Sequence, residues 1–162
     1  MTDVLLRRLI LSPKKVTREE RGWANPPVPP RFTPFPRGLR LGPDWIWRAV
    51  SCQAGDKQFQ LLGLLNNRKG NYKAWLLYRV GADWSLLARL EDHSGHPGLH
   101  MHAHCGNQIP EPGPTSVNTP VRRPRLVSRR SVQGHTLDRF WGKACAVFRI
   151  SNPDPEEPEL PL

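Results

Sequence analysis

The sequence predicts an α+β domain: an antiparallel meander of four to five strands, with a C-terminal amphipathic helix packed on its apolar face. Three observations support this class. Apolar runs separated by short turns fill residues 45–105, a helical stripe of apolar side chains follows Thr136, and a proline-rich stretch precedes both. A chain of 162 residues has room for one compact domain with tails.

The N-terminal segment, residues 1–43, is basic and rich in proline. Because proline lacks a backbone donor and fixes φ, we expect this segment to run extended over the surface and to wrap the domain. Trp23, Phe32 and Phe35 supply apolar anchors for it. A short helix is expected at about residues 17–22, where Thr17 can act as the cap.

The core domain is expected to span residues 44–150. Five apolar runs within it end in turn signals and predict strands. The connections between neighbouring runs are short, which favours antiparallel hairpins. The expected strands are residues 45–50, 58–65, 72–80, 84–91 and 99–105.

An arginine-rich loop, residues 121–135, leads into a helix expected at about 136–148. Leu137, Phe140 and Trp141 begin an i, i+3, i+4 apolar stripe, so we expect this helix to pack on the sheet. Residues 151–162 have the composition of an acidic tail.

The net charge of +10 favours a polyanionic partner, most simply RNA, because neutralising phosphates releases counterions. The arginine-rich loop can track a phosphate backbone, and two more cations lie on the strand at 72–80. The residues expected to bind nucleic acid are Lys73, Arg79, Arg122, Arg123, Arg125, Arg129 and Arg130.

Three widely spaced cysteines argue against a disulfide framework and favour a reducing cytoplasm. Cys105 is expected on the buried face of its strand, as an inert core thiol. The apolar residues near the N-terminus are interrupted by Arg7 and Arg8, so no membrane anchor is expected.

The most informative stretch is residues 99–105, in which histidines alternate with apolar residues. In an extended strand, His100, His102 and His104 project from one face. Burial of the apolar positions predicts one register with the preceding strand, since a one-residue slip would mix histidines with leucines on both faces. The opposed pairs are then Glu91 with His100, Arg89 with His102 and Leu87 with His104.

This face predicts metal-independent cleavage of RNA. One histidine would act as general base on a ribose 2′-hydroxyl and another as general acid on the leaving oxygen. Arg89 or Lys73 would stabilise the charge on the phosphorane, while Glu91 orients an imidazole. The expected catalytic residues are His100, His102, His104, Arg89 and Glu91, with no cofactor.

The second interpretation is a zinc-dependent hydrolase. Histidines two apart on a strand can reach one zinc ion at about 2.0–2.1 Å. His100 and His102 would be joined by His93, His96 or His104. Three alternating residues of one strand rarely converge on one ion, because they spread over roughly 13 Å of strand, so a set made of the three strand histidines alone is disfavoured.

A third interpretation is a non-catalytic nucleic-acid-binding or assembly module. In that case the arginine-rich loop binds the partner, and the histidines are a solvated strand face. The overall format, a small basic domain with a histidine-bearing antiparallel sheet, resembles that of small prokaryotic ribonuclease toxins. This resemblance implies RNA cleavage and a protein inhibitor or antitoxin that covers the histidine face.

Overall fold

The computed structural model describes residues 4–93, 99–104, 108–112, 125–128 and 137–151. Within these residues the chain is mostly β, and its helices are the two-turn α1 (Val4–Leu11) and α2 (Leu137–Val147). The strands are β1 (Lys14–Ala24), β2 (Ile46–Ala54), β3 (Lys57–Asn66), β4 (Asn71–Val80), β5 (Asp83–Asp92), β6 (Leu99–Ala103), β7 (Arg125–Ser128) and β8 (Ile150–Ser151).

These strands form one curled sheet in the order β7-β6-β5-β4-β3-β2-β1-β8. Neighbouring strands run antiparallel, except that the two-residue β8 pairs parallel with β1, so the sheet is mixed. The expected α+β meander of four to five antiparallel strands is therefore wrong. The sheet extends past the five expected strands at both edges, through β7 on one side and through β1 and β8 on the other.

Residues 17–22, expected as a short helix, belong to the long strand β1. Pairing with β2 gives the acidic side chains of β1 polar partners. The Ser51 hydroxyl donates to Glu20 Oε1 at 2.9 Å, and Arg48 Nη2 lies 2.9 Å from Glu19 Oε1. The charged residues of β1 thus meet polar partners across the strand pair. Local helix preference is overridden by these tertiary contacts.

Both faces of the sheet are buried. The first face, the helix face, packs against α1 and α2 through residues such as Leu61, Leu76 and Phe140. The second face, the strap face, is covered by residues 25–43, which we call the strap. Burial on both sides explains why nearly every residue of β3 and β5 is buried, rather than every second one.

The strap is attached to the sheet by side-chain donors. Its prolines offer carbonyl groups but no backbone N–H, so it cannot add to the sheet as a strand. Indole and amide groups of the sheet therefore donate to strap carbonyls and fix its path. These bonds are Trp47 Nε1 to Asn25 O at 3.0 Å, Gln60 Nε2 to Phe32 O at 2.6 Å and Trp84 Nε1 to Arg31 O at 2.8 Å.

On the helix face, Gly63 allows Trp141 of α2 to approach the sheet. A Cβ at this position would lie 2.8 Å from Trp141 Cζ3 and 3.1 Å from its Cε3. We therefore expect Gly63→Ala to lower the free energy of unfolding by about 1–3 kcal/mol, because the indole must shift in a close-packed core. Urea denaturation followed by far-UV circular dichroism measures this.

The matched control is Gly142→Ala, which introduces the same methyl group within α2. Its Cβ would meet nothing within 4 Å. Since alanine favours the helix over glycine, this variant should gain about 0.5–1 kcal/mol. A Gly63→Ala protein as stable as the wild type would contradict the close approach of Trp141.

Among the described residues, no helix combines the length and apolar character needed to cross a membrane.

Candidate metal centre

The site lies on the strap face, where β5 and β6 pair. Glu91 lies opposite His100 and Arg89 opposite His102, which is the register predicted from burial of the apolar positions. His93 follows the end of β5, two residues after Glu91. Side chains two apart in extended chain share a face, so His93 can point to the same side as Glu91.

Three imidazoles surround one carboxylate oxygen. The Nε2 atoms of His93, His100 and His102 each lie 3.9 Å from Glu91 Oε2. At 3.9 Å these contacts are longer than N–H···O hydrogen bonds, which measure about 2.7–3.2 Å. The carboxylate oxygen and the three imidazole nitrogens therefore face a shared space.

The rings are packed edge to face around this space. The His93 and His100 ring centroids are 5.1 Å apart, and those of His100 and His102 are 5.2 Å apart. Glu91, His100 and His102 each offer a ligand atom, and these atoms all lie within 4.8 Å of one another. These three residues form the core of the cluster, with His93 beside it.

Most of the cluster is shielded from water. Glu91 is 7% exposed and His100 is 4% exposed. Burying a carboxylate is costly unless cations or hydrogen bonds compensate it. Arg89 supplies one compensating charge, since its Nη1 lies 3.7 Å from Glu91 Oε1, the other oxygen of this carboxylate.

The donor set fits a divalent transition-metal ion. Zinc binds imidazole nitrogen and carboxylate oxygen at about 2.0–2.2 Å, so two of its tetrahedral ligand atoms lie about 3.4 Å apart. The 3.9 Å separations in the cluster come within side-chain adjustment of that value. Nitrogen ligands also favour zinc, copper, iron or nickel over magnesium or calcium, which prefer oxygen.

The structure unites Glu91, His100 and His102 but leaves His104 outside the cluster. His104 is buried beyond the end of β6, where its backbone N–H donates to Leu87 O at 3.1 Å. The sequence names His93 only as one of the alternatives for a third metal ligand and does not place it among the catalytic residues. Its two-residue spacing from Glu91 is the signal that favours it.

Three of the cations expected to bind nucleic acid lie within the described residues, on β4 and β7. Lys73 lies opposite Glu91 on β4, with its Nζ 5.7 Å from the Trp45 ring centroid. Arg79 lies at the other end of β4, opposite Trp84. Arg125 begins β7, whereas Arg122, Arg123, Arg129, Arg130, His96 and Cys105 lie outside the described residues.

The thiols of Cys52 and Cys145 are free, and neither belongs to the cluster. Burial raises the pKa of the Cys52 thiol to about 12 and that of the Cys145 thiol to about 11. Both groups therefore stay protonated near neutral pH, which makes them poor nucleophiles and poor metal ligands.

Comparison with protein-family models, with curated proteins and with solved structures returned no match. The function is therefore argued from the chemistry of the cluster.

Proposed function

We propose that this protein binds one divalent transition-metal ion, most simply Zn²⁺, through Glu91, His100 and His102, and that it is a metal-dependent hydrolase. The observation that carries the proposal is the single carboxylate oxygen with three imidazole nitrogens at 3.9 Å. Two histidines and a glutamate form a known ligand set of catalytic zinc sites, which keep one coordination position open.

Each side chain has a distinct part in this proposal. Glu91 and His100, both buried, would hold the ion at the inner side of the site. Arg89 lies beside Glu91 Oε1 and would fix the orientation of the carboxylate. A bound zinc ion supplies a Lewis acid that polarises a carbonyl or phosphoryl oxygen.

His93 lies at the open side of the cluster, with 27% of its side chain exposed. It can therefore act either as a fourth ligand or as a proton acceptor beside the substrate. We favour the second role, because the three core ligands already converge without it. A group in that position can take up a proton from an attacking nucleophile.

The experiment measures bound metal. Purified protein is loaded with Zn²⁺, desalted and analysed by inductively coupled plasma mass spectrometry, and its affinity is measured by competition with a chromophoric chelator. We expect one equivalent in the wild type and a loss of affinity of about 100-fold or more in His100→Ala and His102→Ala. His104→Gln is the matched control, since it alters a histidine outside the cluster and should retain the metal.

His93→Ala tests whether His93 is a proton acceptor or a metal ligand. We expect this variant to keep stoichiometric zinc, with an affinity within about tenfold of the wild type, but to lose hydrolytic activity toward chromogenic ester and phosphodiester substrates. Loss of zinc equal to that in His100→Ala would show instead that His93 is a full ligand. Wild-type protein that binds no zinc would overturn the proposal.

Metal-free RNA cleavage is a second candidate, favoured by the close approach of Arg89, Glu91 and His100. If the reaction is metal-free, RNA cleavage should persist in excess chelator and disappear in His102→Ala. Against it stands the burial of His100, at 4% exposed, because a phosphodiester must touch both proton-transfer groups. Cleavage abolished by the chelator and restored by zinc would favour the metal-dependent reaction.

A further inference from the structure

A groove on the strap face lies far from the metal centre, at the opposite ends of β4 and β5. It consists of two adjoining clefts of about 410 and 470 Å³, and Arg31, Arg79 and Trp84 line both of them. Trp84 and Glu91 are seven residue steps apart along β5, which is about 23 Å of strand. We call this feature the arginine groove.

The arginine groove carries a positive charge. Arg18, Arg31 and Arg79 line the first cleft together with a single acidic residue, Glu20. Glu20 is itself engaged by the Ser51 hydroxyl at 2.9 Å and by Arg18 Nε at 3.5 Å. Asp83 is the acidic residue that lines the second cleft. With three arginines and two carboxylates, the groove still presents more guanidinium than carboxylate, which favours an anionic ligand.

Two of these guanidinium groups are held against aromatic rings. Arg79 Cζ lies 5.0 Å from the Trp84 ring centroid, and its Nε donates to Gly81 O at 3.0 Å. Arg31 Cζ lies 4.6 Å from the Phe32 ring centroid. Stacking of this kind orients a guanidinium before a ligand arrives, so less side-chain entropy is lost on binding phosphate.

The first cleft also contains two exposed amide side chains. Gln53 of β2 lies directly opposite Gln58 of β3. Each of these amides offers donors and an acceptor, which suits the edges of unpaired bases and ribose hydroxyls. The third amide of the cleft, Gln60, is buried and donates to Phe32 O, so it supports the wall of the cleft.

We propose that the arginine groove binds single-stranded nucleic acid. Each cleft has the volume of a small-ligand pocket and can receive one nucleotide, while the arginines shared by both clefts contact the phosphates between them. A duplex is a poorer fit, since its bases are stacked inside the helix and cannot enter concave clefts. The net charge of +10 supports attraction to the same class of ligand.

The test uses fluorescence anisotropy with a labelled uridine decamer and the full chain. Arg31→Gln/Arg79→Gln should weaken binding about tenfold or more and reduce the slope of log affinity against log salt by about 1.4, since each phosphate contact on a single strand contributes about 0.7. The matched control, Arg7→Gln/Arg8→Gln, removes the same charge from the exposed side of α1 and should change affinity by less than about threefold. Thermal unfolding of both variants verifies that they fold.

Three outcomes would overturn the proposal. Equal losses in the two double variants would mean that binding follows net charge and not the groove. Equal affinity for a duplex of the same length would exclude recognition of unpaired bases. Competition by uridine monophosphate at the same molar concentration as the decamer would assign the groove to a small phosphorylated molecule.

Discussion

Replacing Lys14 by methionine is expected to lower the free energy of unfolding at pH 7 by about 2–4 kcal/mol. Lys14 is 1% exposed, and its Nζ donates to the carbonyl oxygens of Ile10 at 2.8 Å, Ser12 at 2.8 Å and Phe148 at 3.0 Å. These carbonyls lie at or just beyond the C-terminal ends of α1 and α2. A cation at these ends complements the helix dipoles, and its removal leaves buried acceptors unsatisfied.

The contribution of Lys14 should also depend on pH. Burial lowers the pKa of this amine from 10.5 to about 8, so the folded protein releases the proton at lower pH than the unfolded chain does. Between these values the unfolded state binds more protons, and the stability of the wild type therefore rises with pH. The shift corresponds to about 3 kcal/mol across this window.

The measurement is the difference in unfolding free energy between wild type and Lys14→Met, by urea denaturation at several pH values from 7 to 10.5. Lys15→Met is the matched control on the same strand, because Lys15 is exposed and its loss should cost no more than about 0.5 kcal/mol at any pH. A wild-type advantage that stays constant with pH would contradict the lowered pKa of Lys14. An effect of Lys14→Met as small as that of the control would contradict its bridging role.

The central strands were predictable because the signals for them are local. Gly55, Gly70 and Gly81 adopt positive φ in the turns of successive hairpins, so the turn residues and the apolar runs between them agree. The register of β5 with β6 was also predictable. Only one alignment buries a uniform apolar face. The structure has that register, which places Glu91 opposite His100.

The edges of the sheet could not be predicted, because their signals are not local. β1 has the sequence of a charged surface segment and becomes a strand through pairing with β2 and β8. β7 lies in the arginine-rich stretch and owes its place to β6. Lys14 gave no signal of burial either, since the carbonyls that satisfy it come from residues 10, 12 and 148.

The candidate site was predicted in part. Strand periodicity brought His100 and His102 to the same face as Glu91, because periodicity depends only on neighbouring residues. The same periodicity implied a solvated polar face, whereas Glu91 is 7% exposed and His100 is 4% exposed. This burial changes the chemistry that the two residues can support, since a buried carboxylate with imidazoles around it suits an ion better than a long polymer.

Glu91→Gln should abolish the stabilisation of this protein by zinc. A ligand that binds only the folded state at 100 times its Kd stabilises it by about 2.7 kcal/mol, which for a domain of this size raises Tm by about 5–10 °C. We expect that rise in the wild type and none in Glu91→Gln, because the amide keeps the shape of the side chain but removes the charge shared by the three imidazoles. Differential scanning fluorimetry with and without Zn²⁺ measures it.

Arg89→Gln distinguishes a residue that orients a metal ligand from Glu91, the ligand itself. Arg89 Nη1 lies 3.7 Å from Glu91 Oε1, so its loss should weaken zinc binding by about 10–100-fold without abolishing it. At saturating zinc the Tm rise of this variant should therefore persist, while that of Glu91→Gln stays absent. Equal zinc stabilisation of wild type and Glu91→Gln would exclude the carboxylate as a ligand, since the histidines or another site would then bind the ion without it.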